Sequence, residues 1–274
     1  MKYFLAFLSC LFFFSCSRVE LIYQFAPKVA ADKVDEAFDF KSERYKEVRN
    51  QIEADLKSNK VVIIRNINEL IDVLSALSIK ENLTLKDLQD LSLEIRRKQK
   101  SLIVLFQPSF EKVILNLNEQ EVKSLSKYSA KTFEKNDEQL REHKPFVDKR
   151  IEGFVKLMDY FFDKATSEQK AIYGDFIRNN FEFYKSQSTA RREFIAQFNW
   201  PIKSKEDLKN YVMQYYSGDS SVRSASYSSQ LATFEKNLIQ LQLDLWQTLD
   251  KKQKDYFRVK LITLKTDLLK LAEK

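Results

Sequence analysis

The 274-residue sequence contains one histidine, 3 glycines, 4 prolines and 2 cysteines. One histidine excludes the paired Glu-x-x-His motifs of a di-iron bundle and leaves no His-rich zinc site. So few glycines and prolines cannot supply the many tight turns that a sheet-rich fold of this length needs. There is no glycine-rich phosphate loop, no Gly-x-Ser-x-Gly elbow and no cysteine–histidine pair. The apolar run at the N-terminus, Tyr3 to Phe14, falls well short of the ~20 residues of a membrane-spanning helix. Neither a metalloenzyme, a nucleotide-binding fold nor a triad hydrolase is signalled.

That N-terminal run is itself informative. Lys2 starts it with a positive charge, only Ser9 and Cys10 interrupt it, and a small residue, Ser15, closes it. This is the form of a short secretory signal. The four residues Phe13-Phe14-Ser15-Cys16 resemble a bacterial lipobox, with Phe13 standing where the box usually has Leu. The resemblance implies a signal peptide over residues 1–15 and a mature domain over 16–274 whose N-terminal residue, Cys16, is diacylated. Cleavage there removes Cys10 and leaves one thiol, which the lipid thioether occupies. A chain this long buries a core without disulfides. The alternatives are a plain secretory signal or an apolar N-terminal core helix. Ser17, rather than Asp, follows Cys16, and by resemblance to the common sorting rule this implies the bacterial outer membrane, facing the periplasm.

The rest reads as all-α. Hydrophobic residues are 44% and charged residues 31%, with a net charge of +7, a globular composition. Apolar stripes follow the helical period: Val147, Ile151, Phe154, Met158, Phe161; Leu231, Phe234, Leu238, Leu241, Leu245; and Phe257, Leu261, Leu264, Leu268, Leu271. Five capping boxes open helices, at Thr84–Asp87, Asn118–Glu121, Thr166–Gln169, Ser204–Asp207 and Asp250–Gln253. The pattern predicts helices over roughly 19–37, 41–58, 60–79, 84–107, 109–116, 118–143, 145–163, 166–187, 189–199, 204–216, 222–248 and 250–273. The polar stretch 215–229 is predicted to be a mobile loop. With no strong composition break, the expected architecture is one elongated multi-helix bundle built from antiparallel helical hairpins.

The stretch CSRVELIYQFAPKVAADKVDEAFDF carries Leu21, Tyr23, Asp35, Phe38, Asp39 and Phe40. In these residues the chain resembles an uncharacterised family of bacterial all-helical lipoproteins, for which no activity is assigned. The boxes in NLNEQEV and ATSEQKA more loosely resemble the Leu-Thr-x-x-Gln repeats of periplasmic chaperones, which implies a holdase-like activity.

Candidate chemistry is sparse. The only histidine, His143, reads as a solvated residue at a helix end, and no cofactor or metal is expected. Asp35 with Asp39 and Asp159 with Asp163 share helix faces at i,i+4, the spacing at which a cell-wall glycosidase could pair carboxylates. Lys123, Lys127, Lys131 and Lys135 recur every four residues, one cationic row suited to an anionic partner: lipid headgroups, lipopolysaccharide phosphates or an acidic protein. Its plain alternative is a solvated face. The aromatics Phe176, Phe181, Phe183, Tyr184, Phe194, Phe198 and Trp200, with Arg191 and Arg192, are expected to be mostly core, with a peptide or glycan groove as the alternative. Acid-rich residues 32–55 and base-rich residues 251–274 carry charges that attract each other. Nucleic acid is not an expected partner. The leading expectation is a non-enzymatic envelope lipoprotein with a binding or structural role, followed by a holdase-like chaperone and then a cell-wall-acting enzyme.

Overall fold

The computed structural model describes residues 17–273, so the proposed signal peptide and Cys16 lie outside the described residues. The described chain is all-α: twelve helices and a short 3-10 turn, without a strand. In chain order these are α1 (Ser17–Phe38), α2 (Ser42–Ser58), α3 (Lys60–Ser78), α4 (Leu85–Leu105), α5 (Gln107–Ile114), α6 (Glu119–Arg141), α7 (His143–Phe162), α8 (Ser167–Asn179), α9 (Phe181–Ile195), α10 (Lys205–Ser217), α11 (Ala225–Gln247) and α12 (Lys251–Glu273).

The capping residues start helices where the sequence places them. Thr84–Asp87, Asn118–Glu121 and Thr166–Gln169 form reciprocal boxes at the starts of α4, α6 and α8. Asp250 and Gln253 do the same for α12, at 2.7 and 3.2 Å. Ser204 accepts from the Asp207 N–H to open α10. Each cap satisfies backbone donors that the helix cannot, a contribution of about 1 kcal/mol.

Consecutive helices pack as hairpins in α1/α2, α3/α4, α6/α7 and α7/α8. Two other joints are bends rather than turns. A single residue, Asn59, separates α2 from α3, and Asn180 separates α8 from α9. Both asparagines use the same device. The Asn59 amide donates to the Asp55 carbonyl four residues back at 2.9 Å and to the end of α4 at the Leu105 carbonyl, 3.2 Å. The Asn180 amide donates to the Phe176 carbonyl at 2.8 Å, and its oxygen accepts from Asn237 of α11 at 2.9 Å. A side chain inserted into the helical ladder and held by a neighbouring helix bends the rod there. This moves the break expected near residue 188 back to Asn180.

Sequence-distant helices close the body. α12 lies on α3 and α1, burying Leu261, Leu268 and Leu271 against Ile64, Ile71 and Val19. α11 packs on α4, α8 and α9, and α1 packs on α6. A second cluster stacks Phe183 on Phe234 with centroids 4.0 Å apart, beside Phe176 and Tyr227.

The eight-residue α5 is held at both poles by α2. The Asp55 carboxylate, 4% exposed, accepts from the Ser109 N–H at 3.0 Å and the Ser109 hydroxyl at 2.6 Å. At the other end the Arg44 guanidinium donates to the carbonyls of Lys112 and Val113 at 2.6 and 2.9 Å. The acid meets the positive pole of the short helix and the base its negative pole. A helix this short is marginal alone, so these contacts define it.

Two expectations are corrected. The low-complexity stretch is a short folded link: Gly218 ends α10 at φ 84, a left-handed conformation that suits glycine, and the 3-10 turn Ser220–Val222 leads into α11. Arg223 fastens it by donating to the Tyr215 carbonyl at 3.2 Å while lying over the Tyr215 ring. Several charges of the two ends are engaged elsewhere. Asp32 is held by Tyr45 at 2.5 Å and Lys28 at 3.4 Å, and Glu47 by Lys112 at 3.2 Å. α12 is instead fixed to α3, through Lys265 with Asp72 and through Arg258 with the Ser78 carbonyl at 2.6 Å.

Candidate functional site

The first described helix belongs to the core from its start. Val19 is 3% exposed, and the Tyr23 hydroxyl donates to the Leu56 carbonyl at 2.6 Å. The core therefore begins at the third residue of α1.

One face of α1 packs and the other does not. Val19, Tyr23, Ala30, Val34 and Phe38 face the core. Leu21, Phe25 and Val29 are 46%, 53% and 53% exposed. At 100° per residue these three lie within roughly 80° of one another and point away from the packed face. Their i,i+4,i+8 spacing was present in the sequence, but a stripe alone does not tell which of two apolar faces is buried. α12 carries a second outward series, Val259, Ile262 and Leu269, at 60%, 65% and 48% exposure.

Lys123, Lys127, Lys131 and Lys135 all lie exposed on α6. Val122, Leu125 and Ser129 are buried on the opposite side, and Phe133 is half-buried with the Arg192 guanidinium 4.5 Å from its ring centre. Lys123 pairs with Glu119 at 2.7 Å. Among the described residues no carboxylate pairs with Lys127, Lys131 or Lys135, which stand exposed on the same side of α6 as Glu134 and Glu138.

The paired acids serve the chain. Asp35 accepts from the Phe40 N–H at 2.9 Å across the turn that ends α1, where Asp39 takes φ 54. Asp159 accepts from the Ala165 N–H at 3.2 Å, and Asp163, at φ 73, pairs with Lys252 at 2.5 Å. The aromatic series is interior: Phe176, Phe183, Phe194 and Phe198 are buried, and only Trp200 stands out at 42%. These rings pack into the core rather than line a groove. A depression of about 330 Å³ lies between α9 and α11, with a mixed lining that includes Lys185, Ser186, Thr189, Ala190, Ser226 and Tyr227. His143 is exposed at the start of α7, edge-on to Phe181 at 4.4 Å. Among the described residues no group of three or more His, Cys, Asp or Glu side chains could hold a metal ion, and no helix is long and apolar enough to cross a membrane.

Two buried glutamines, 84 residues apart, form a pair. Gln169 and Gln253, 0% and 5% exposed, are the third residues of the boxes that open α8 and α12. Their amides pair, joining the turn before α8 to the turn before α12. Against protein-family models, curated proteins and solved structures alike, the chain finds no match.

Proposed function

We propose that the protein is a non-enzymatic envelope lipoprotein, anchored at the outer membrane by acylated Cys16, whose helical body binds or braces an envelope partner. The signal-like run Tyr3–Phe14, the Ser15-Cys16 junction and the likeness to helical lipoproteins support the anchor. The observation that carries the reading is the join to α1. The chain is helical at Ser17 and buried at Val19, so an anchor at Cys16 holds the body itself at the leaflet rather than on a flexible stalk. The open lysine row gives such a body one surface for an anionic partner, through charge.

A holdase-like chaperone is the second reading, favoured by the exposed series Val259, Ile262 and Leu269 on α12. Its likeness to Leu-Thr-x-x-Gln repeats is weakened by Gln169, which is fully buried and unable to touch a client. The carboxylate pairs that would serve a cell-wall enzyme are engaged in turns and a surface ion pair. Crosslinking in cells followed by mass spectrometry tests the choice. One or a few defined envelope partners support the binding role; a broad set of unfolded proteins overturns it in favour of the holdase.

A further inference from the structure

We propose that the exposed stripe Leu21–Phe25–Val29 lies in the headgroup region of the leaflet that holds Cys16, so that α1 rests along the membrane surface as a second attachment. This rests on the acylated Cys16 of the proposed function.

Three observations lead to a lipid surface as the occupant. The first is position. Leu21, Phe25 and Val29 lie 5, 9 and 13 residues after Cys16. Counted from Ser17, where α1 begins, the stripe lies roughly 6 to 18 Å along the helix at 1.5 Å per residue. A helix whose first turn is tied to acyl chains has lipid within that distance.

The second is orientation. α1 packs on α2, α6 and α12 through its other face, which leaves the stripe exposed. Lys28, on the stripe side, is exposed and pairs with Asp32 at 3.4 Å. A lysine there lays its methylenes along the apolar surface and keeps its ammonium at headgroup level. An exposed apolar stripe can sink ~5–10 Å into the boundary, and since Asp32 balances Lys28 here, the seating is apolar rather than electrostatic.

The third is area. Three half-exposed side chains offer on the order of 300 Å², given the ~200 Å² that a large aromatic carries. A stable contact with a second copy needs ~800 Å² on each partner. A bilayer sets no such minimum when an acyl anchor already holds the helix beside it.

The test uses the full processed chain in phosphatidylethanolamine–phosphatidylglycerol vesicles, with Phe25→Cys, Leu21→Cys and, on α11, Ser229→Cys as a control. Each is labelled with a nitroxide, and collisions with oxygen and with a water-soluble nickel chelate are compared. Acylated Cys16 takes no label, so one nitroxide per chain is expected. Labels at positions 21 and 25 should collide more with oxygen, which concentrates in lipid, and the label at 229 more with nickel. Nickel-dominated labels at 21 and 25 overturn the membrane seating alone. Spin–spin broadening at those positions shows a second copy there instead, and also overturns it. A second nitroxide, on Cys16, shows that the anchor is absent and overturns both readings.

Discussion

Gln169 and Gln253 hydrogen-bond to each other through both of their amides. The Gln169 Nε2 donates to the Gln253 Oε1 at 3.0 Å, and the Gln253 Nε2 donates to the Gln169 Oε1 at 3.2 Å. Each oxygen also accepts the backbone N–H of its own cap residue, Thr166 or Asp250. Each Nε2 also reaches a carbonyl of the other turn, Thr248 at 3.5 Å and Lys164 at 2.7 Å. Every donor and acceptor of both amides is used, which is what burial of two glutamines requires. Two helix caps and the contact between two distant turns thus depend on one pair of side chains.

Replacing Gln169 with Ala should cost about 1–3 kcal/mol, because it leaves the buried Gln253 amide and the Thr166 N–H short of partners. Gln253→Ala should cost a similar amount. The double variant should lose less than the sum of the two, with a coupling of at least ~0.5 kcal/mol, since the second change removes an already orphaned group. Urea unfolding of the four proteins gives the cycle.

Asp55→Ala should destabilise by roughly 1–3 kcal/mol, because it uncaps α5 and strands the buried Ser109 hydroxyl. Asp55→Asn, which keeps an acceptor, should lose less. Amide hydrogen exchange should show the loss first at the start of α5. Equal protection there in Asp55→Ala and the parent would separate this carboxylate from the stability of α5.

Asp87 gives the fold an acid-sensitive cap. Lys80, at 2.7 Å, together with the Thr84 backbone and side chain, holds its carboxyl at about 2, below its ordinary value. A carboxyl that is more acidic in the folded state stabilises fully above its unfolded value, near pH ~4. That contribution fades as the pH falls towards about 2. Asp87→Asn should therefore lower stability at neutral pH and flatten this part of the acid unfolding curve. Carboxyl titration by NMR should place the Asp87 midpoint below those of the exposed aspartates.

Changing Lys123, Lys127, Lys131 and Lys135 to Gln should alter stability by less than about 0.5 kcal/mol per site, since solvated charges contribute little. If the row binds an anionic surface, the variant should bind anionic vesicles or lipopolysaccharide more weakly at low salt, and salt should abolish the difference. Equal binding at low salt would make the row a solvated face.

Much of the fold was legible because helix physics is local. The boxes at Thr84, Asn118, Thr166 and Asp250 each need only residues three apart, and each opens a helix. The bend at Asn180 was not legible, since its cause is a bond to Asn237, 57 residues away. The same holds for Asp55 and Ser109, 54 residues apart, and for Gln169 and Gln253, 84 apart. The lysine row was legible as a face because one helix sets it. The stripe on α1 is set apart by distant α6 and α12, which with α2 cover the opposite side, and no local pattern encodes that.

The central claim is that Cys16 is the acylated N-terminus of the mature protein. Intact mass of the membrane-extracted chain, with metabolic labelling by a palmitate analogue, tests it most directly. The account predicts a chain that begins at Cys16, carries the mass of its acyl groups and takes up the label, with both signals lost in Cys16→Ala. A mature chain that begins elsewhere, or one with an unmodified Cys16 thiol and no label, would contradict it.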